Sequence, residues 1–289
     1  MNKLYKVMQK KTGKYILGIL SLSVFVFFSC MQQKQQVKNP PGYNLSAPLK
    51  ITLPSILTEI SGLSFYKGDP KWVYAHEDET GRIYTFNPAD IHLIETKFAG
   101  RGDYEDIAIA REQVVILRSD GTLLVFPFAD LKKKQASNVK TYESILPKGE
   151  YEGMYADEKT GLLYVLCKSC KADKKGSATS GYIFKLLPGG NVQQAGGFSV
   201  SVETKKKKEK FMPSALAKNP STGEWYIVSS VNKMLVVADG SWNVKDTYTL
   251  SASLFPQPEG IAFDKQNNLY ISNEGGTGAG TILKFTFKR

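Results

Sequence analysis

Short apolar runs alternate with polar turns along most of this chain, and no segment sustains apolar residues at the helical spacing of three and four. The clearest unit lies at 258–273. An apolar strand opens with Pro258-Glu259-Gly260, a polar turn follows at Lys265-Gln266-Asn267, and a second strand stops at the polar tip Ser272-Asn273. Two such runs split by a turn read as an antiparallel hairpin. Weaker copies precede it, opened by Ile60-Ser61-Gly62, Tyr104-Glu105-Asp106, Tyr151-Glu152-Gly153 and Pro213-Ser214-Ala215. Second strands are expected at 72–75, 114–117, 163–166, 225–228 and 269–271, and third strands at 83–86, 123–126, 183–186, 234–237 and 282–285.

The copies recur about every 45 residues, with a longer third repeat, and a period in the forties built from short strands marks β-propeller blades. The fold expected is therefore all-β, a single propeller over 46–289. The last repeat has room for only three strands, while the run Leu49-Lys50-Ile51-Thr52-Leu53 has no partner beside it in sequence. Pairing the two completes a fifth blade and leaves no open edge. Six blades is the alternative, if the long third repeat hides one. Its excess, however, lies in the polar inserts 168–181 and 203–210 rather than in new strands.

The first residues break the pattern. A lysine-rich stretch, an apolar run at 15–28 and then Ser29-Cys30 read as a signal peptide over 1–29. Fourteen apolar-rich residues are short for a membrane span, and a small residue before a lone cysteine resembles a lipobox. Cys30 is then the lipidated N-terminus. Residues 30–45, Gln-rich with a Pro40-Pro41-Gly42 break, read as a flexible tether. An exported protein is expected, lipid-anchored in the cell envelope at the outer membrane and facing the periplasm. An uncleaved anchor and plain secretion are the alternatives.

This segment changes the meaning of the charge. The net +11 includes five lysines ahead of the apolar run, and the lysine runs 132–134 and 205–208 add seven local charges. The folded body is near neutral, which argues against a nucleic-acid partner. The run 205–208 reads as a solvated loop, with anionic lipid or polysaccharide as its sharper reading. Cys167 and Cys170 form a C-x-x-C. An exported chain favours a local disulfide, since a zinc site lacks ligands when His76 and His92 are the only histidines. A redox role would need a βαβ context that is absent from the sequence.

Candidate chemistry gathers where the inner strands begin and the second strands return. Glu59, Ser61, Glu105, Asp106, Glu152, Ser214 and Glu259 open the repeats, and the tips include His76-Glu77-Asp78, Arg118, Lys168, Ser229-Ser230 and Asn273-Glu274. Glutamates at equivalent positions of three blades face one axis and raise one another's pKa unless compensated. A hard cation, Arg118, Lys168, backbone N–H donors or open water would each serve. Carboxylate and amide oxygens suit Ca²⁺, with Glu105, Glu152, Glu259 and Asn273 as candidate ligands. The bland alternative is that the glutamates staple neighbouring blades through backbone amides. His76 and Glu77 are candidate general bases, with a packed or surface histidine as the alternative. Gly275-Gly276-Thr277-Gly278-Ala279-Gly280 joins two strands and opens no helix, so it is not a phosphate loop.

In this order and spacing the chain resembles the SdiA-regulated (YjiK-like) family, relatives of the NHL-repeat propellers. The resemblance rests on Glu59-Ile60-Ser61-Gly62-Leu63, Tyr104-Glu105-Asp106-Ile107-Ala108, Tyr151-Glu152-Gly153-Met154 and Pro258-Glu259-Gly260-Ile261-Ala262-Phe263-Asp264, with the tips Ala75-His76-Glu77 and Ile271-Ser272-Asn273-Glu274. It implies a five-bladed propeller with calcium near the axis, and no particular activity. Ser214 departs from the pattern by replacing a glutamate. The function expected is a calcium-binding, monomeric envelope module whose mouth takes a small-molecule, polysaccharide or protein ligand. The alternative is a calcium-dependent hydrolase of the lactonase or phosphoesterase kind, with His76 or Glu77 as base.

Overall fold

The computed structural model describes residues 38–175, 178–204 and 209–289, so the signal segment 1–29, Cys30 and the lysine run 205–208 lie outside the described residues. After β1 (Leu49–Thr52), the first blade holds β2 (Ile60–Ser64), β3 (Val73–Glu77), β4 (Thr80–Asn87) and β5 (Asp90–Arg101). The second holds β6 (Tyr104–Ala110), β7 (Gln113–Arg118), β8 (Leu123–Pro127) and β9 (Lys140–Tyr142). The third holds β10 (Gly149–Ala156), β11 (Leu162–Cys170), β12 (Ala178–Leu187) and β13 (Asn191–Ser201). The fourth holds β14 (Ala215–Lys218), β15 (Trp225–Ser229), β16 (Met234–Ala238) and β17 (Val244–Thr249). In the fifth, β18 (Pro258–Phe263), β19 (Leu269–Asn273) and β20 (Thr281–Phe285) are completed by β1.

Five antiparallel blades therefore close the ring, and among the described residues there is no sixth. Leu49 faces Lys284 and Ile51 faces Ile282 across the closure. The long third repeat spends its excess on extending β11, β12 and β13 within one blade.

Packing explains why the middle strands read as unbroken apolar runs. Each blade is a sheet covered on both faces by its neighbours, so both side-chain faces are buried. In β15, Trp225 and Ile227 enter the core shared with blade three, while Tyr226 and Val228 enter the core shared with blade five. One such core fills each gap between adjacent blades. Burying a side chain of that size contributes about 1.5–3 kcal/mol, which is what holds the ring together. The outer strands β5 and β13 face solvent and are mostly exposed.

One expectation is corrected. Residues 38–45 are not a free tether, because Tyr43 and Leu45 are buried against blades four and five. The Tyr43 hydroxyl donates to the Asn267 carbonyl at 2.7 Å, and Asn219 Nδ2 donates to that hydroxyl at 3.3 Å. Two apolar side chains in a polar stretch are enough to dock it. Gly275-Gly276 folds back as a tight turn, with the Gly275 N–H donating to the Thr58 carbonyl at 2.7 Å. A Cβ on Gly280 would come within 2.0 Å of the Leu57 carbonyl oxygen, so that position admits only glycine.

Candidate functional site at the upper channel mouth

The inner strands all begin at one mouth of the channel, here called the upper. Their pairing slips by one residue there. In blade two, Tyr104 faces Arg118 and Asp106 faces Leu117, leaving Glu105 without a partner. In blade three, Tyr151 faces Cys167 and Gly153 faces Leu166, leaving Glu152. In blade five, Pro258 faces Asn273 and Gly260 faces Ser272, leaving Glu259. Blade one has the same excess between Ile60 and Leu63, while in blade four regular pairing starts only after Ser214. A β-bulge re-aims its extra side chain. The three glutamates are thus turned out of the inter-blade packing and toward one another.

Their electrostatics follow from that placement. Burial pushes Glu105 up to about 9, and the charges of Glu152 and Asp103 add to it. Burial raises Glu152 to about 7 against the opposing pull of Lys168. Glu259 is raised by burial, while the hydroxyls of Ser214 and Ser230 hold it down. Around them, burial and the neighbouring acids lift Glu274 to about 8 and Asp78 to about 6. Lys168 forms an ion pair with Glu152. Arg118 turns instead to Asp120, at 2.9 Å.

Several buried polar atoms here have no hydrogen-bond partner: Glu152 Oε2, Asp78 Oδ1, His76 Nε2, and Oδ1 and Nδ2 of Asn273. Orphaned oxygens beside carboxylates of raised pKa fit a hard cation in chemistry. Among the described residues, the axial acids do not close into a compact ligand set. The three acidic, histidine or cysteine donors that lie within 4.8 Å of one another are those of Cys167, Cys170 and Asp173, and those two sulfurs are bonded to each other. Asn273 is wholly buried opposite Pro258 and Thr281.

The candidate bases are not placed for proton transfer at the mouth. His76 is wholly buried, its Nδ1 lies 3.1 Å from the Glu77 carbonyl oxygen, and burial lowers its pKa to about 4. Glu77 accepts the N–H groups of Glu79 at 3.0 Å and Thr80 at 2.7 Å, so it caps its own hairpin turn. His92 is exposed on β5, 3.2 Å from Asp90.

Stapling through backbone groups is performed by residues other than the glutamates, while Glu259 of blade five accepts from the hydroxyls of Ser214 and Ser230 of blade four. Asp106 is buried and accepts the N–H of Ile107 at 2.8 Å and of Met154, on the next blade, at 2.7 Å. The Ser61 hydroxyl donates to the Glu105 carbonyl at 2.7 Å, and the Ser272 hydroxyl donates to the Ser61 carbonyl at 2.8 Å. In sequence Asp106 looks like one more axial acid; only the bulge at Glu105 separates their roles.

A cavity of about 510 Å³ opens at the opposite, lower mouth, between the ends of the inner strands at residues such as Phe65, Ile109, Ala156, Lys218 and Phe263. The hollow and the convergent acids are therefore at different ends. Chemistry favours the upper end. Asp264, which lines the cavity, is committed to its turn, accepting from Gln266, Asn268 and Tyr270.

The sequence model of the SdiA-regulated family matches residues 184–276. No curated protein matches the chain. Among solved structures, Myxococcus xanthus glutaminyl cyclase superposes with a TM-score of 0.55 at 14% identity, over 84% of this chain and 96% of that one. The PQQ-bound aldose sugar dehydrogenase of Streptomyces coelicolor gives 0.54 at 14% identity, over 86% and 100%. A gluconolactonase of Xanthomonas campestris gives 0.52 at 12% identity, over 86% and 95%. Such distant likenesses share the propeller fold, and the differing activities of these enzymes show that the fold sets none of them.

Proposed function

We propose that this chain is a calcium-binding β-propeller lipoprotein of the bacterial cell envelope whose upper mouth binds a ligand or a protein. The observation that carries the reading is the convergence of Glu105, Glu152 and Glu259 on bulges of three blades, all with raised pKa values. Glu105, Glu152 and Glu259, joined by the orphaned Asn273 carbonyl, would hold the ion. Ca²⁺ accepts six to eight oxygens in loose geometry, which suits donors carried by separate blades. When bound, it supplies charge neutralisation and an electrophilic point for a ligand oxygen. The chain's own residues do the rest: Ser214 and Ser230 orient Glu259, and Lys168 balances Glu152. The burial of His76 and the engagement of Glu77 in its turn favour binding over hydrolysis.

Ser29-Cys30 supports lipidation and an outer-membrane location facing the periplasm, and a disulfide at Cys167 and Cys170 suits such an oxidising compartment. The partner proposed is a small molecule, polysaccharide or protein, taken by a monomer. The test is thermal melting of the purified protein with Ca²⁺ or chelator, alongside metal analysis. Binding linked to folding raises the melting temperature with ion concentration, and Glu259→Gln removes the rise. An unchanged melt with no metal found overturns the reading.

A further inference from the structure

Cys167 and Cys170 stand three residues apart on one strand. A regular strand rises about 3.3 Å per residue and would separate such positions by roughly 10 Å, on opposite faces, too far for a disulfide. Their Cα atoms are 6.1 Å apart. The shortening comes from a bulge in β11: Glu150 faces Ser169 and Tyr151 faces Cys167, leaving Lys168 as the extra residue. Gly149 makes room for the bond, since a Cβ there would meet the Cys170 sulfur at 2.3 Å. Lys168, held between the two cysteines, is the lysine paired with Glu152.

We propose that the Cys167–Cys170 disulfide is a covalent lock on the bulge that presents Lys168 to the axial carboxylates, and that Lys168 is the gatekeeper of that mouth. The second half rests on the cation-binding reading above. A divalent cation enters by displacing the ammonium from Glu152, so the lock sets how tightly the mouth holds a cation. Both cysteines are buried, which makes the lock a fixed part of the site.

The experiment has two readouts. The first is the rate at which an N-hydroxysuccinimide ester acylates Lys168, followed by mass spectrometry. It rises several-fold in Cys167→Ser/Cys170→Ser relative to the native protein, and an unchanged rate overturns the lock. The second is Ca²⁺ binding by calorimetry. Lys168→Met binds about tenfold more tightly, the scale of losing one charged hydrogen bond. The cysteine substitutions tighten binding in the native background and do nothing further beside Lys168→Met. An undiminished effect beside Lys168→Met overturns the gatekeeper role. If no variant binds Ca²⁺, the calcium reading falls while the acylation rates still decide the lock. Should the double serine variant fail to fold, Cys167→Ala/Cys170→Ala, its strand signature checked by circular dichroism, replaces it.

Discussion

Glu152 and Lys168 are each the extra residue of a β-bulge, on the facing strands β10 and β11, and their side chains form an ion pair at the channel mouth. Neither residue would meet the other in a regular hairpin, because the pleat would direct them by strict alternation. The paired bulges turn an ordinary strand pair into a holder for opposite charges.

That relationship predicts an asymmetry. Glu152→Gln strands a partly buried ammonium and costs about 1–3 kcal/mol in urea unfolding at neutral pH. Lys168→Met costs much less, because Glu152, already raised to about 7, can take up a proton instead.

The pH dependence has a definite sign. Glu105, Glu152 and Glu274 have folded pKa values of about 9, 7 and 8, above the carboxylate value of 4.5. The native state binds more protons there, so stability is fullest below about pH 4.5 for these groups and is lost as pH rises through 7 to 9. Melting temperature measured in chelator therefore falls by several degrees between pH 6 and 9, and Glu105→Gln flattens the fall.

His76 acts on the acid side. Its folded pKa of about 4 lies below the usual 6.5, so its contribution is lost as pH drops from 6.5 toward 4. His76→Leu, measured over that window, reduces the acid loss of stability; an unchanged slope would mean that other groups carry it.

Asp106 joins two blades as an acceptor. Asp106→Ala leaves the Met154 N–H buried without a partner and lowers unfolding free energy by about 1–3 kcal/mol. Burial pushes the Asp106 carboxyl's pKa well above the usual range, against the pull of the Met154 and Ile107 N–H groups. Asp106→Asn keeps one oxygen for one of the two N–H donors and so costs less than Asp106→Ala without restoring the native stability.

Ring closure depends on β1. Removing residues 1–53 exposes the β20 edge and the inter-blade core to which Leu53 belongs. Size-exclusion chromatography of that truncation shows aggregation instead of a single monomeric peak.

How much of this was legible in the sequence divides along physical lines. Burial between two neighbours imposes apolar residues on both faces of every middle strand, so Trp225-Tyr226-Ile227-Val228 and its counterparts announce themselves. Blade repetition, blade number and the closing strand Leu49–Thr52 follow from that pattern, as does the equivalence of Glu105, Glu152 and Glu259. Tertiary structure alone decided the rest, because direction is not written in residue type. A one-residue slip in pairing separates the axial Glu105 from the stapling Asp106 beside it. Burial removed His76 from the solvent mouth, and a local turn claimed Glu77. The docking of Tyr43 depends on a gap formed by strands more than 170 residues further along the chain. Local pattern sets which strands form; the bulges and the closed ring decide which way the polar side chains at their ends point.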